Sequence, residues 1–416
     1  MTIRQTLRRI AGSIFLPGDN GYDDHRRPLN PALDPHPAVV VRAADPADVR
    51  EALLGARHHA LPFAVQATGH GTHVAHDGAL LLDTSAMTRV LVDPDRRVAR
   101  VGPGARWGDV LRAAAPFGLA PLSGSSPDVG VIGYTLGGGL GWLARRYGLA
   151  ADSVLRAQVV TADGTLESAD AGHNPDLFWA LCGGGGSFGV VTGLEFRLYP
   201  VERVYAGAVT FGRERAAAAI ACYREWIERV PDALSTAVVL TRDGSLVIQA
   251  VYAGRPEQGH ALLEPLWRAA GPVVADGMRV VEYAHAAMGG TFPHTFDQVR
   301  TLDDDLLAAL VAEPDATVEL RHWGGQIARG TGAAAHRDAP LSVVLDTVPS
   351  TRAAAALRRC GLGTAFLNFL PDPSRTASAF TAPHWAALRR IKTAYDPGNI
   401  FATGLAVPPA ALTTSA

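Results

Sequence analysis

Residues 62–83 read PFAVQATGHGTHVAHDGALLLD and decide how the first half of the chain folds. The runs 62–71 and 78–87 are typical of strands, and the first of them ends in a glycine turn around His70. Glycines at such a turn let backbone N–H groups approach a ligand closely. Two further glycine clusters follow, SGSSPDVGVIGYTLGGGLGW at 123–142 and CGGGGSFGVVTG at 182–193. Each cluster alone could be a turn or a sheet bend, but three of them on one strand–helix framework favour a large phosphate-bearing cofactor.

The composition is that of a globular enzyme. The chain has 416 residues, of which 48% are hydrophobic and 19% charged, and its net charge is −2. This length predicts two domains or one elaborate domain. The near-neutral charge argues against the basic surface that binding to nucleic acid or to an anionic membrane requires.

Cysteine spacing and the N-terminal segment narrow the protein class further. Cys182, Cys222 and Cys360 stand at unrelated spacings, so the sequence predicts neither a disulfide framework nor a metal site. Basic residues and a broken apolar patch at 10–16 predict an amphipathic first helix ending near Pro17, rather than a secretory segment. No run approaches the roughly 18 apolar residues of a membrane span, and we therefore expect a cytoplasmic protein.

Short strands and helices alternate over residues 1–200, which we interpret as the cofactor-binding domain. The run 37–43 is typical of a strand, and 45–59 of a helix capped by Asp45 with proline at its first position. Residues 106–118 predict another helix. The alternation over 154–166, with an Asp-Gly turn, predicts a hairpin.

The pattern changes after residue 200. Residues 201–355 alternate long Ala-rich helices with strands, which predicts a substrate domain with an antiparallel sheet and helices on one face. The segment 356–416 contains a helix stopped by Asp-Pro-Gly, and we expect it to return to the first domain. The predicted fold class is therefore α+β, with a discontinuous cofactor domain.

The sequence contains the residues of a dinucleotide-binding motif, but the predicted elements around them are in the wrong order. Residues 184–189, GGGSFG, match G-x-G-x-x-G. That fingerprint is meaningful only where it follows a strand and opens a helix. Here it follows a predicted helix and precedes a predicted strand. We therefore reject a Rossmann site, and the sequence contains no Walker A loop.

Five ordered motifs carry a family resemblance. They are YDDHRRPLN (22–30), ATGHGTHVAHDGALLLD (67–83), SGSSPDVGVIGYTLGGGLGWLARRYGLAADSV (123–154), NPDLFWALCGGGGSFGVVT (174–192) and RRIKTAYDPGNIF (389–401). Together they resemble the berberine bridge enzyme-like FAD-linked oxidases of the vanillyl-alcohol oxidase superfamily, whose FAD domain is of the PCMH type with two subdomains. The resemblance is strong over 20–200, good over 364–402 and thin over 201–345.

The resemblance implies FAD as cofactor and a covalent bond from His70 to the flavin C8 methyl group. An alkylated imidazole withdraws electrons, which would raise the reduction potential of the flavin. The cofactor-binding positions that the resemblance implies, besides His70, are Thr68, Gly69, Gly71, Thr72, Gly124, Ser126, Val129, Gly130, Gly133, Tyr134, Gly138, Gly139, Gly141, Gly189, Val191, Asn368 and Asn399.

Two positions in the second glycine cluster indicate how many bonds hold the flavin and which electron acceptor it uses. Many relatives form a second bond from a cysteine to flavin C6, and this chain has Ser126 at that place. Serine cannot form that bond, so we expect a single tether. Val129 stands where similar proteins border the oxygen-reactive carbon of the flavin, and valine there goes with oxidase behaviour.

The residues that carry catalysis in similar oxidases are missing here. Tyrosines often occupy the two positions where this chain has Phe366 and Leu140, and phenylalanine or leucine cannot accept a substrate proton. Either another group serves as the base or the reaction needs no strong base. Our catalytic candidates are Tyr134, His322 and Asn368. Glu319 is a further candidate, expected on the opposite face of the strand from His322.

The resemblance therefore predicts an oxidase that takes a hydride from an alcohol, an amine or an activated C–H of a small molecule and passes the electrons to oxygen. A specialised natural-product tailoring step fits the missing tyrosines better than general sugar oxidation does. A carbohydrate oxidase, a flavin-containing cyclase or isomerase without net redox turnover, and a non-catalytic flavin-binding protein remain alternatives. The sequence leaves the oligomeric state open.

Overall fold

The computed structural model describes residues 1–286, 288–313 and 315–411. Its first sheet has the strand order β1-β2-β4-β3, in which β2, β4 and β3 run parallel and β1 is antiparallel to β2. The four strands are β1 (Ser13–Phe15), β2 (Val39–Arg42), β3 (Phe63–Gln66) and β4 (Leu80–Asp83).

The N-terminal segment departs from the predicted amphipathic helix. Helix α1 covers only Ile3–Thr6, and the chain then enters β1. The carboxylate of Asp48 accepts hydrogen bonds from the Ala11 and Gly12 amides at 2.7 and 2.9 Å, which fixes an extended backbone there. The Cβ of any other residue at position 12 would collide with the Arg42 carbonyl oxygen. Tertiary contacts thus override the local helical pattern.

The second sheet is antiparallel and five-stranded, in the order β5-β6-β9-β7-β8. Its β7–β8 hairpin has Asp163 and Gly164 in the turn, as the sequence predicts. The strands are β5 (Val90–Asp93), β6 (Val98–Val101), β7 (Val154–Val160), β8 (Leu166–Asp170) and β9 (Val190–Arg197).

The third sheet is the antiparallel sheet predicted for the substrate domain. It has the order β13-β10-β12-β11-β16-β17-β15, with β14 also pairing with β10. One face packs against helices in a continuous apolar core, and the other face contacts the first half of the chain. The strands are β10 (Arg203–Gly212), β11 (Leu234–Leu240), β12 (Ser245–Tyr252), β13 (Val273–Asp276), β14 (Arg279–Glu282), β15 (Thr295–Val299), β16 (Val318–His322) and β17 (Leu341–Leu345).

Helices connect and cover these sheets. Helix α3 begins at Pro46, and its cap Asp45 accepts hydrogen bonds from the Ala47 and Asp48 amides, as predicted. No helix among the described residues is both long and apolar enough to cross a membrane. Besides α1, the helices are α2 (Tyr22–Arg26), α3 (Pro46–His58), α4 (Trp107–Ala114), α5 (Val131–Leu136), α6 (Ala144–Tyr147), α7 (Pro175–Leu181), α8 (Ala216–Trp226), α9 (Pro256–Ala270), α10 (Asp304–Val311), α11 (Thr351–Cys360) and α12 (Ala382–Tyr395).

The C-terminal segment is attached to the third glycine cluster by a buried cation. Lys392 of α12 is fully buried, and its ammonium donates to the Ser187 carbonyl at 2.9 Å and the Phe401 carbonyl at 3.0 Å. Its third contact is the Asp396 carboxylate at 2.5 Å. Through these bonds Lys392 joins the last helix to the loop between α7 and β9.

Candidate cofactor and substrate site

The loop that carries His70 leaves the end of β3 and is held by an earlier motif. Gly69 adopts a φ of +72°, which favours glycine, and a Cβ there would lie 3.0 Å from the Pro28 Cα. The Leu29 amide donates to the Gly69 carbonyl at 3.4 Å. The segment 22–30 therefore packs against the turn at Gly69. Gly71, by contrast, faces open space.

His70 is exposed on this loop and lies close to the charged groups Arg106 and Asp128. Both belong to the second subdomain, the part of the chain that contains the second sheet. Partial burial lowers the pKa of His70, and the Arg106 guanidinium adds to that shift while the Asp128 carboxylate opposes it. The lowered pKa favours the neutral imidazole at neutral pH. Only that form has a free nitrogen lone pair with which to bond to a carbon atom.

A cavity of about 510 Å³ opens where the His70 loop meets the second subdomain. The Trp107 amide donates to the Val129 carbonyl at 3.0 Å, which ties one wall of the cavity to the second glycine cluster. A Cβ at Gly130 would lie 3.3 Å from the Thr68 hydroxyl, so the two loops approach closely. The lining residues are Ala67, Thr68, Ser85, Thr88, Val90, Gly104, Arg106 and Asp109.

Most glycines of the second cluster serve packing within the protein rather than an open approach to a ligand. A Cβ at Gly124 would lie 2.9 Å from the Tyr134 ring, and one at Gly139 would lie 2.5 Å from it. Gly141 abuts the Ser123 carbonyl, and a Cβ at Gly138 would lie 2.8 Å from the Phe366 ring. Gly133 is the exception, since it is exposed and has no neighbour within 4 Å of its Cβ position. The open glycines at 71 and 133 leave room for a ligand such as a flavin with its diphosphate.

Asn368 spans the same glycine run. Its side-chain amide donates to the Tyr134 carbonyl at 3.0 Å, and its oxygen accepts from the Gly139 amide at 2.8 Å. Both polar atoms therefore bind backbone at the C-terminal end of α5. The structure places Asn368 as a clamp on the glycine run, and direct contact with substrate or flavin stays a prediction.

The remaining predicted cofactor positions lie in four places. Ser126 accepts the Asp128 amide at 3.3 Å in a tight turn, and Thr72 donates to Gln66 Oε1 at 3.4 Å. Val191 pairs with Val159 inside the second sheet. The Cβ of any residue replacing Gly189 would lie 2.5 Å from the Val159 side chain, and Asn399 has a φ of +52° after α12. Their contacts with FAD stay predictions.

Tyr134 is half-buried, and its ring packs against the glycines of the second cluster. Its ring packs edge-on against Trp107 at 5.5 Å between centroids. Its hydroxyl is buried without a hydrogen-bond partner among the described residues. Burial raises the pKa of Tyr134 well above its ordinary value, so the phenol keeps its proton at neutral pH. Tyr134 can donate a hydrogen bond there, but it is a poor proton acceptor.

The sheet face that contacts the cofactor domain carries a buried polar group. Glu319 and Arg321 of β16 form an ion pair at 2.8 Å, and the guanidinium lies over the Trp142 ring at 4.9 Å. The second carboxylate oxygen of Glu319 accepts the Thr291 amide at 3.1 Å. Gln249 of β12 is half-buried, and its Oε1 is buried without a partner among the described residues.

His322 lies on the other face of β16, as the alternation predicts. Its Nε2 lies 2.7 Å from a guanidinium nitrogen of Arg145, which also donates to the Leu234 carbonyl at 2.8 Å and to the Trp323 carbonyl. Burial, aided by Arg145, lowers the pKa of His322 to about 2. The structure thus separates His322 from Tyr134, and so weak a base is a poor proton acceptor. We read it as part of the contact by which Arg145 of α6 holds the substrate sheet.

This burial has a measurable pH dependence. The pKa of His322 falls from 6.5 in the unfolded chain to about 2 in the folded protein, so below pH 6.5 only the unfolded state binds the proton. Each pH unit below 6.5 should lower the free energy of unfolding by about 1.4 kcal/mol, and pH 5 by about 2 kcal/mol. We expect His322→Gln to remove that part of the difference between the urea midpoints at pH 7.5 and pH 5. Equal pH dependence in both proteins would contradict this assignment.

The positions of the missing tyrosines are filled by an apolar cluster. Phe366 packs edge-on against Trp323 at 5.4 Å, and Leu140 is buried in the same cluster. Among the described residues, no three His, Cys, Asp or Glu side chains are grouped as ligands of a metal ion would be. Sequence reasoning missed Arg321, Gln249 and Arg145. An arginine at an inward position of a predicted strand was the available signal for Arg321.

Comparisons with known proteins agree with this arrangement. Residues 37–170 match the FAD binding domain family. An FAD-linked oxidoreductase of Dictyostelium discoideum is 26% identical over 98% of this chain and 97% of its own length.

Solved structures share the whole fold. The berberine bridge enzyme-like 1 protein of Physcomitrella patens superposes with a TM-score of 0.88 at 23% identity, covering 98% of this chain and 99% of that one. The 6-hydroxy-D-nicotine oxidase of Arthrobacter nicotinovorans has a TM-score of 0.87 at 25% identity, covering 96% and 98%. The glucooligosaccharide oxidase of Acremonium strictum, with a 6-S-cysteinyl, 8α-N1-histidyl FAD, has a TM-score of 0.83 at 23% identity, covering 99% and 100%. This chain is therefore an FAD-linked oxidoreductase of the PCMH-type, berberine bridge enzyme-like fold.

Proposed function

We propose that this protein is an oxidase that removes a hydride from a carbon next to nitrogen in a small amine and passes the electrons to oxygen. FAD held by the His70 loop and the second glycine cluster would supply the hydride acceptor, and the two electrons and one proton of the hydride, with one proton from solvent, would convert O₂ to hydrogen peroxide. The amine loses one hydride, and its nitrogen lone pair forms the C=N bond of an iminium product. Val129, at the position that goes with oxidase behaviour in similar proteins, supports oxygen as acceptor.

The observation that carries this proposal is the environment of two polar groups, the buried Tyr134 hydroxyl, which has no hydrogen-bond partner among the described residues, and the Glu319 carboxylate. Tyr134 keeps its proton because burial raises its pKa, and both oxygens of Glu319 are engaged by Arg321 and the Thr291 amide. An alcohol must lose its O–H proton as hydride leaves, so it needs a base. A neutral amine does not, because its lone pair stabilises the developing cation. The site therefore favours amines over alcohols and sugars.

One structural neighbour supports the same choice, whereas others are named as carbohydrate or oligosaccharide oxidases. The 6-hydroxy-D-nicotine oxidase is named for a substrate that contains amine nitrogen, and it superposes on this chain over nearly its whole length. The apolar cluster around Phe366 makes the site less suited to sugar hydroxyls. A tailoring step on a natural product fits this combination of an apolar wall and a few buried polar groups.

Oxygen uptake tests the proposal directly. The flavin-loaded protein should consume oxygen and release peroxide with secondary or tertiary amines, and should not do so with the matched alcohols. Under anaerobic conditions, amine should bleach the flavin absorbance near its visible maximum. Turnover of alcohols or oligosaccharides without amine turnover would overturn the amine assignment. Conversion of a substrate without bleaching would favour a redox-neutral cyclase or isomerase.

We further propose that His70 is the single covalent tether. The glucooligosaccharide oxidase holds its FAD by a histidyl and a cysteinyl bond. Here the imidazole at position 70 stands exposed beside Arg106 and Asp128, which supports the histidyl bond. Ser126 lies in a turn of the facing loop and lacks the thiol that the second bond requires.

The second tether should be restorable. We expect Ser126→Cys to form a cysteinyl bond to flavin C6 in a fraction of the protein, which would change the flavin absorbance and add a second attachment seen by mass spectrometry of flavin peptides. Ser126→Ala is the matched control and should keep the single histidyl bond. Loss of bound flavin in the alanine variant would contradict the single-tether reading.

A further inference from the structure

Arg321 is a buried cation that the proposed chemistry does not use. It is 7% exposed, and it lies on the sheet face that contacts the cofactor domain. Its Nε lies 2.8 Å from Glu319 Oε1 in an ion pair, whereas its two terminal nitrogens make no hydrogen bond among the described residues. A largely buried guanidinium with unpaired N–H donors calls for an explanation, and a bound ligand is a common one.

The guanidinium is held in one orientation. Glu319 contacts it on the Nε side, and its Cζ lies over the Trp142 ring at 4.9 Å from the ring centroid. Stacking on an aromatic face and pairing with a carboxylate both limit the orientation of the planar guanidinium, so its remaining N–H donors point in fixed directions. Two such donors match the two oxygens of a carboxylate.

A space is left beside that guanidinium by a glycine. A Cβ at Gly290 would lie 3.9 Å from Arg321 Nη2 and 3.8 Å from the Ser125 hydroxyl. Ser125 belongs to the loop that also carries Ser126, at the predicted flavin edge. Neighbouring Gly289 has a φ of +69° and no atom within 4 Å of its Cβ position. Gly290 therefore lies between a cation of the third sheet and a hydroxyl of the loop that carries Ser126, and its missing side chain leaves room between them.

An acceptor lies in the same row of the sheet. Gln249 and Arg321 both pair with Ala237, on its two sides, so they share one face with a small residue between them. The Gln249 amide donates to the Met288 carbonyl at 3.1 Å, which leaves its buried Oε1 as a free acceptor. One cation and one acceptor, about two strand spacings apart, suit a ligand with an anionic oxygen at one end and an N–H at the other.

We propose that Arg321 binds a carboxylate of the substrate, with Ser125 as a second donor and Glu319 as the positioning residue of the guanidinium. The substrate class is then an amine that also bears a carboxylate. This inference rests on the proposed amine oxidation. Its binding part can be tested without turnover.

Benzoate is the probe, benzamide its neutral counterpart, and the protein is the flavin-loaded full chain. Benzoate should perturb the flavin absorbance and raise the thermal unfolding temperature, while benzamide at equal concentration should do neither. Arg321→Gln should weaken benzoate binding by about tenfold or more, the factor that 1.4 kcal/mol of a charged hydrogen bond supplies. Arg300→Gln is the matched control, since Arg300 pairs with Asp338 on the surface and should leave benzoate binding unchanged.

A second variant guards against a folding defect in Arg321→Gln. Gly290→Val leaves the ion pair intact and fills the space between Ser125 and Arg321, so it should abolish the benzoate response while the flavin stays bound. The proposal is overturned if benzoate does not bind the wild-type protein, if benzamide binds as well, or if both variants bind benzoate normally. Failure of amine turnover, with benzoate binding intact, would contradict the proposed amine oxidation but not the proposed carboxylate site.

Discussion

Replacing His70 by alanine is expected to leave the protein with no covalently held flavin. In the wild-type protein, acid precipitation should keep the yellow colour in the pellet if the imidazole is bonded to the cofactor as we propose. In His70→Ala the colour should pass entirely into the supernatant. We also expect kcat/KM for the best amine to fall about tenfold or more, a change of roughly 1.4 kcal/mol in the barrier, because the electron-withdrawing bond is lost.

The neighbouring histidines provide the control. His73 and His76 share the loop, and burial lowers the pKa of each as it does for His70. If any neutral imidazole on this loop could form the bond, His70→Ala would retain part of the attachment. We expect His73→Ala and His76→Ala to keep all of it. Flavin that stays in the pellet of His70→Ala would refute the assignment of the tether.

The parts of the fold that follow from local pattern are those that sequence predicts. The strands 39–42 and 80–83, the helix capped by Asp45 and the β7–β8 hairpin all lie where periodicity and turn chemistry place them. The N-terminal helix failed because its outcome depends on Asp48, a residue more than 30 positions away that binds the Gly12 amide. Local pattern carries no record of such a contact.

The site divides in the same way. Glycine motifs identify the flavin loop, but they do not tell which glycines face a ligand. Gly133 and Gly71 are open, whereas Gly124 and Gly139 make room for the Tyr134 ring. That distinction depends on how α5 packs against the preceding loop, which is a tertiary property.

Residues that act across the domain boundary were the hardest to identify. Asn368 looks like part of a substrate motif, yet its two polar atoms bind the glycine run more than 200 residues away. Arg145 is one of many arginines in the sequence, and only the structure shows its guanidinium among the carbonyls of the substrate domain. The role of such an arginine depends on contacts with residues distant in sequence, and a single sequence does not reveal those contacts.

Lys392 provides the largest expected effect on stability. It is the only lysine in the 416 residues, in a chain that uses arginine at every other basic position apart from histidine. The surroundings of residue 392 explain why a lysine stands there. A compact ammonium has three N–H donors, and three acceptors surround it, the Ser187 and Phe401 carbonyls and the Asp396 carboxylate. A guanidinium is too large for this fully buried site and has a flat donor geometry.

We therefore expect both common replacements to destabilise the protein, for different reasons. Lys392→Met leaves Asp396 as an unpaired buried charge and should lower the free energy of unfolding by about 3–5 kcal/mol. Lys392→Arg keeps the charge but overpacks the site, and should cost about 1–3 kcal/mol. Urea unfolding of the flavin-loaded protein, followed by tryptophan fluorescence, measures both. Arg390→Lys, at an exposed position of the same helix, is the matched control and should be nearly neutral.

A double variant separates the charge from the packing. If the cost of Lys392→Met comes from the unpaired carboxylate, Lys392→Met combined with Asp396→Asn should recover part of it, because the asparagine is neutral and its single oxygen can still accept from one of the Ile400 and Phe401 amides that bind the two carboxylate oxygens. If the cost comes from lost packing of the lysine stem, the double variant should be no more stable than the single one. A lysine-to-arginine change as harmless here as Arg390→Lys would show that the site does not select for an ammonium, and the single lysine of this chain would then have no structural basis.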